Sequence, residues 1–367
     1  MLGAAALGAT AGLVVGGVIP APAWGPDWLG SPAHASARAS TGAASGGAVE
    51  LAHAVAAGGA AVLDAPTPLA PALVPPMGTF EGVVDEALLA PLRTAKPVKV
   101  KLNRGGSSLS LRIDFADGSR AAFKPDQIHL QTIPRKEVAA YRLSRLLGLT
   151  AVPPAIARRF SQEELLGAVD PRMPEARARV LAEITWSADG TVAGELSSWI
   201  PKIEDATVDD VEIDTVDGMV RWKRYLAQGG EAPPEDAALL QQMSTMIAFD
   251  FLTNNVDRWS GNNAKTSPDG VILYFMDNTL AFGARGGHRK TQNYLERVQK
   301  FSRSFRWALG RLDRAAVERA MTDDPGPYPA LLTPEELDAL FVRRQVLLDH
   351  IDGLVATHGD PAVLVYP

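Results

Sequence analysis

The chain has 367 residues, 46% of them hydrophobic and 21% charged, with 36 Lys and Arg against 42 Asp and Glu for a net charge of −6. These are the proportions of an ordinary globular protein with room for one large or two modest cores, which excludes a disordered chain and a membrane channel. No basic run is dense enough to neutralise a phosphate backbone, which argues against nucleic acid as a partner, and with no cysteine there are no disulfides, thiolate nucleophiles or sulfur metal sites.

Residues 1–23 are small, uncharged and apolar up to Pro20 and end at Ala21-Pro22-Ala23. They read as a signal-peptide-like segment or an anchor. The missing positive n-region and the many Gly and Ala leave a lipid-facing anchor or a misassigned start open. Residues 24–76, from Ala33 mostly Ala, Gly, Ser and Pro, hold too few large apolar groups to offset the entropy of ordering and read as a linker.

The folded part is expected from Met77, with an N-terminal lobe over 77–205 and a C-terminal lobe over 206–367. Val98–Leu102, Ser108–Phe115 and Ser119–Lys124 alternate as three short strands. The first turn, Asn103–Ser107, contains Gly105, Gly106 and Ser107. Their backbone N–H groups can cover phosphates, or the segment is simply a turn. Lys124 ends the third strand in A-A-F-K-P, where it reaches α- and β-phosphates if a carboxylate steadies its ammonium. Glu137 is that carboxylate. It lies at the margin of the apolar arc of a helix over Lys136–Leu147, capped near Thr132 and stopped by Gly148 and Pro153-Pro154.

Ala178–Trp186 and Thr191–Ile200 read as two further strands, after which Ser198–Ile203 passes the adenine if the order is that of a kinase. Glu204–Asp217 is rich in carboxylates but lacks the D-x-[DN]-x-[DN]-G-x₅-E pattern, so a solvated insertion is expected. From Pro234 the chain is mainly helical. Leu240, Met243, Ile247 and Phe251 mark the buried face of one helix, and Asp250 within it must be hydrogen-bonded, bracing the loop that follows. Further helices are expected around Tyr294–Leu312, Arg314–Met321 and Pro334–Val355, with Arg285–Lys290 an exposed basic loop. The six histidines, at 34, 53, 129, 288, 350 and 358, show no H-x-x-H or H-E-x-x-H spacing, which argues against zinc.

The chemistry centres on 248–283. Asp257 and Asn262 are five residues apart, the offset of the catalytic-loop Asp and metal-binding Asn in H-R-D-L-x-x-x-N. Asp277 ends V-I-L-Y-F-M, a run that suits a buried strand delivering a carboxylate at its end. In phosphoryl transfer the first Asp orients the attacking hydroxyl, and the Asn with the second Asp holds Mg²⁺ or Mn²⁺ on the phosphates.

Four stretches narrow the choice: Phe123-Lys124-Pro125; Glu137–Leu149 with Val152-Pro153-Pro154; Asp250–Arg258; and Asp277-Asn278. Together they resemble the secretory-pathway atypical kinases, the family of the Golgi casein kinase and the four-jointed ectokinases. HipA-type and phosphoinositide kinases are more distant relatives. The resemblance covers about residues 95 to 310 and implies a bilobal α+β fold, with a small β-rich N-lobe carrying one key helix and a mainly helical C-lobe. It implies that Lys124 binds phosphate and pairs with Glu137, that Asp257 is the catalytic Asp, and that Asn262 and Asp277 bind metal, with ATP and Mn²⁺ or Mg²⁺ as cofactors. Two positions depart from the family: the His after D-R is Trp259, and D-N-G is Asp277-Asn278-Thr279. The expected protein is an exported kinase acting on Ser or Thr hydroxyls of protein or on a sugar hydroxyl. A pseudokinase and a cytosolic HipA-like kinase are the alternatives, and a membrane tether and the oligomeric state are left open.

Overall fold

The structure, a computed structural model, describes residues 78–103, 107–259, 263–284 and 288–367. All belong to the compact unit Ala70–Pro367. The expected leader and linker, together with Gly105, Gly106 and Asn262, lie outside the described residues.

A small hairpin, β1 (Thr79–Phe80) and β2 (Val83–Val84), leads into helix α1 (Asp85–Thr94), then strands β3 (Pro97–Leu102), β4 (Leu111–Phe115) and β5 (Arg120–Pro125). Helix α2 (Arg135–Leu146) follows, then β6 (Ala155–Ser161), α3 (Gln162–Ala168), α4 (Pro174–Glu183) and β7 (Thr191–Ser198). Five of these strands form one antiparallel sheet in the order β3-β4-β5-β7-β6. Period-two alternation does what it must: Leu111, Ile113, Ala121 and Phe123 bury one face against Leu89 and Leu92 of α1, Leu165 of α3 and Val180 of α4. The other face of β5 and β7 is left for polar side chains.

The expected strand over Ala178–Trp186 is corrected to helix α4. The segment A-R-A-R-V-L-A-E alternates, but it also has helical periodicity. Pro174 at the first helical position and the Arg179–Glu183 pair one turn apart, 2.8 Å, decide for the helix. Strand β6 and helices α1 and α3 went unexpected, although Ser161 and Glu164 form a capping box at the start of α3.

The acidic segment keeps Glu204, Asp205, Asp209, Asp210 and Glu212 exposed, as a solvated insertion would, but it is folded into the C-terminal region. It carries strands β8 (Glu204–Asp205), β9 (Thr207–Val208) and β10 (Val211–Glu212) before α5 (Val216–Leu226). Ala206, Val208 and Ile213 are buried in the second core, so apolar residues between the acids tie it down. Helix α6 (Ala237–Thr253) is followed by β11 (Lys265–Thr266), paired with β8 and with β12 (Leu273–Tyr274). The expected strand V-I-L-Y-F-M shrinks to those two residues because its other partners are not a ladder: Leu273 N–H bonds the Gln242 side chain and Phe275 N–H the Ala151 carbonyl.

The C-terminal region is helical: α7 (His288–Leu295), α8 (Arg303–Arg311), α9 (Arg314–Thr322), α10 (Pro334–His358) and α11 (Asp360–Val363). The single helix expected around Tyr294–Leu312 is two, since Ser302 caps a fresh start at α8 by accepting from Phe305 N–H at 3.2 Å. Among the described residues no helix is long and apolar enough to cross a membrane. Helix α2 joins the two cores: it packs on β6, β7 and α9, and its Val138, Ala139, Ala140 and Leu143 are buried in the helical core.

Candidate active site

The free face of the sheet meets the loops after α6 and β12 around a cavity of about 610 Å³. Ala122 and Lys124 on β5 stand opposite Ser197 and Glu195 on β7 in the antiparallel register, so all four share one face, and all four line the cavity. Ala122, Pro153, Trp199, Ile200, Ile203 and Met276 make one part of the wall apolar. Ser198 Oγ, on the same wall, is buried without a hydrogen-bond partner. Lys124, Glu137, Glu195, Asn263 and Asp277 make the other part polar. Apolar surface for a base and charged groups for phosphates are what a nucleotide requires, and the volume lies in the range of small-ligand sites, ~300–1,000 Å³.

Lys124 and Asp277 meet directly, Nζ donating to Oδ1 at 2.6 Å across the cavity. The anticipated Lys124–Glu137 pair is not formed. Glu137, buried at the start of α2, accepts from the Asn278 N–H and from Asn278 Nδ2 at 2.9 Å, so it secures the loop and not the lysine. The reason is the residue after Asp277: Asn278 is fully buried and presents its backbone N–H and its side-chain amide to Glu137. Asp277 has φ 60°, a left-handed backbone that Asp adopts more readily than most residues and that turns the chain after β12. Thr279, where a flexible Gly was expected, donates its hydroxyl to Asp277 Oδ1 at 3.2 Å.

Three carboxylates, of Glu137, Glu195 and Asp277, face one ammonium. Burial works to lower the Lys124 pKa, but Asp277 first, then Glu137 and Glu195, hold it well above the usual lysine value. Burial works to raise Asp277, and Lys124 outweighs it, keeping the carboxyl below the usual range. Burial raises Glu137, and Glu195 is pushed up to about 8 by burial and by the Glu137 charge. Glu195 is 1% exposed and accepts from Ser197 Oγ at 2.7 Å.

Asp257 lies on the turn after α6, which ends at Asn254 in the left-handed conformation that closes helices. Its N–H donates to Asn255 Oδ1 at 3.2 Å, and Asn263 Nδ2 donates to both its carbonyl and its carboxylate, at 3.2 and 3.3 Å. Asn263 lines the cavity, so Asp257 stands one residue from it. The expected bracing by Asp250 takes place through Arg258, which is fully buried. Asn255 Nδ2 reaches the Asp277 carbonyl at 3.1 Å, tying the two loops together. The basic loop expected over Arg285–Lys290 is corrected in part: His288–Lys290 begin α7, Lys290 is exposed and donates to the Val256 carbonyl at 2.6 Å, and residues 285–287 lie outside the described residues. Trp259 packs on Tyr294 and Trp222, with ring centroids 5.0 and 5.3 Å apart, and so anchors the loop by apolar contact.

Lys124, Glu137 and Asp277 are therefore brought together. Asp257 stands nearby. Ser107 is exposed, and the cavity wall on that side is made by Asn103, Ser108 and Ser110. Glu195, Arg258, Asn263 and Asn278 were not singled out as functional from the sequence. A glutamate between the apolar residues Val192, Ala193 and Leu196 of a strand was a usable signal for Glu195; the others need the fold.

The donor set suits a divalent cation bound with a nucleotide: hard oxygens, a surplus of carboxylate and an ammonium for phosphate. Among the described residues no three His, Asp or Glu form a ready cage, so Asp277 would share the cation with phosphate and water oxygens. Such a cation supplies charge neutralisation at the phosphates.

Residues 90–280 match the four-jointed box protein middle domain. The chain is 32% identical over 220 residues to human Four-jointed box protein 1, covering 58% of this chain and 46% of that protein. It is 24% identical over 316 residues to human Pseudokinase FAM20A, covering 71% and 56%. The chain thus spans about half the length of the curated relatives it matches. Its fold aligns with a crystal structure of the Golgi casein kinase with Mn/ADP bound at TM-score 0.61 and 16% identity, over 76% of this chain and 78% of that one. That likeness shows the fold: a kinase-like α+β architecture with a β-sheet N-terminal region and a helical C-terminal region, as the sequence led one to expect.

Proposed function

This chain belongs to the four-jointed box family, and on that premise we propose that it is an exported, ATP-dependent kinase that transfers phosphate to a Ser or Thr hydroxyl of protein or to a sugar hydroxyl. Residues 77–205 and 206–367 are its two lobes. The observation that carries the reading is the Lys124–Asp277 pair, 2.6 Å, set among Glu137 and Glu195 in a cavity with an apolar wall. Lys124 binds the α- and β-phosphates, Asp277 with Asn262 holds Mn²⁺ or Mg²⁺, and Glu137 fixes the Asp277 loop through Asn278. Asp257 orients the acceptor hydroxyl. Gly105, Gly106 and Ser107 cover the phosphates from the β3–β4 turn. The rate arises from positioning and from charge neutralisation at the transferring phosphoryl group.

A second reading, nucleotide binding without transfer, is favoured by the similarity to Pseudokinase FAM20A and by Trp259 in place of the loop histidine. Labelled phosphate transfer from ATP separates the two, using the full chain with Mn²⁺ or Mg²⁺ beside Asp257→Asn. Label on the protein or an added acceptor in the wild type alone supports the kinase. No label, together with metal-dependent stabilisation by ATP, supports the pseudokinase.

A further inference from the structure

On the reading of this cavity as a nucleotide site, we propose that Glu195 is a positioning residue: it takes over the Lys124 ammonium once Asp277 is engaged by a cation and nucleotide. The register makes the exchange short. Lys124 and Glu195 are directly opposite on adjacent antiparallel strands, and both side chains face the cavity; such partners have Cβ atoms ~5 Å apart.

The other two carboxylates are committed. Both oxygens of Glu137 accept from Asn278, and releasing them would free the loop that carries Asp277. Asp277 holds Lys124, yet its charge is the one a cation at the phosphates must share. Lys124 then needs a second counter-charge to stay on the phosphates. Glu195 is buried, accepts from Ser197 Oγ through Oε2, and stands opposite the lysine on the cavity wall. The ladder holds the two strands together here, pairing Lys124 with Glu195 and Pro125 with Gly194, and Phe123 and the Lys124 carbonyl pack so closely on Gly194 that a Cβ there would lie 2.4 and 2.6 Å from them.

The test is calorimetric binding of ADP to the full chain at pH 8.5, above the value of about 8 to which the Glu195 carboxyl is pushed, once with Mn²⁺ and once with EDTA, for wild type, Glu195→Gln and Glu195→Asp. The amide keeps the shape and the Ser197 bond but not the charge. Its affinity is expected to fall about tenfold with Mn²⁺, the difference between a charge-assisted and a neutral hydrogen bond. With EDTA it is expected to hold or to rise, because Lys124 then remains on Asp277 and one carboxylate fewer repels the phosphates. Glu195→Asp, which retains the charge, is expected to recover most of the loss. Equal weakening in both conditions, or none with Mn²⁺, overturns the proposal. A wild type that binds no ADP with Mn²⁺ overturns the nucleotide reading, and the role of Glu195 with it.

Discussion

Arg258 and Asp250 form a two-pronged ion pair inside the protein, Nε to Oδ2 and Nη2 to Oδ1, each at 3.1 Å. The same guanidinium bonds the carbonyls of Met276 and Asn263 and the side chain of Asn278. It therefore fastens the turn carrying Asp257 to the turn carrying Asp277. Asp250 is what allows a cation to sit there, and removing one partner of a buried pair leaves an uncompensated charge at a cost of about 3–5 kcal/mol. Asp250→Asn is expected to lose about that much in urea unfolding. Asp250→Leu with Arg258→Met is expected to cost clearly less than the two single changes added together, and strict additivity would contradict this account.

Trp259 replaces a polar loop residue with an apolar anchor between Tyr294 and Trp222. Trp259→Ala is expected to cost about 2–3 kcal/mol, near the low end for a large aromatic because the ring is only half buried. Denaturation midpoints check this. A loss below about 0.5 kcal/mol would mean the ring stack does not hold the loop.

Gly194 has ordinary backbone torsions, and its role is space. A methyl group there would meet the Phe123 ring and the Lys124 carbonyl well inside contact distance. Gly194→Ala is expected to destabilise by about 1–3 kcal/mol, as overpacking does, and to weaken ADP binding by moving the strand that carries Lys124. Unchanged stability would show that the strands have slack.

Lys124, Glu137 and Asp277 were legible because short-range chemistry marks each: a lysine at a strand end, a glutamate at a helix margin, an aspartate after an apolar run. Their pairing was not. Whether Lys124 bonds Glu137 or Asp277 depends on Asn278, whose donors claim Glu137 only after two distant elements meet. The same limit explains α4, where alternation and helical period coincide and Pro174 had to decide. It also explains the short β12, where the N–H groups of Leu273 and Phe275 bond the Gln242 side chain and the Ala151 carbonyl rather than a longer ladder. Glu195 was read as one residue of a strand; only the register with Lys124 makes it part of the site.

Glu195 also predicts a pH dependence of stability. In the folded chain its carboxyl is pushed up to about 8, by burial first and by the Glu137 charge next, with Lys124 opposing. In the unfolded chain a glutamate titrates near ~4.3. Between those values the unfolded chain has released a proton that the folded chain still holds. The stabilising contribution is complete below about pH 4.3 and is lost as pH rises to about 8. The groups facing Glu195 are Lys124 on β5, Glu137 on α2 and Asp277 after β12; Lys124 stays charged throughout, Asp277 is held low, and Glu137 is itself raised. Glu137 and Glu195 act on each other, so the comparison with Glu195→Gln reads the pair with and without the Glu195 carboxyl. Near pH 5 the variant and wild type are expected to be about equally stable. By about pH 9 the variant is expected to be more stable by ~2–4 kcal/mol, since it never has to hold a buried charge. Urea unfolding of both proteins across this range measures the divergence, and parallel curves would place the Glu195 carboxyl at its ordinary pKa.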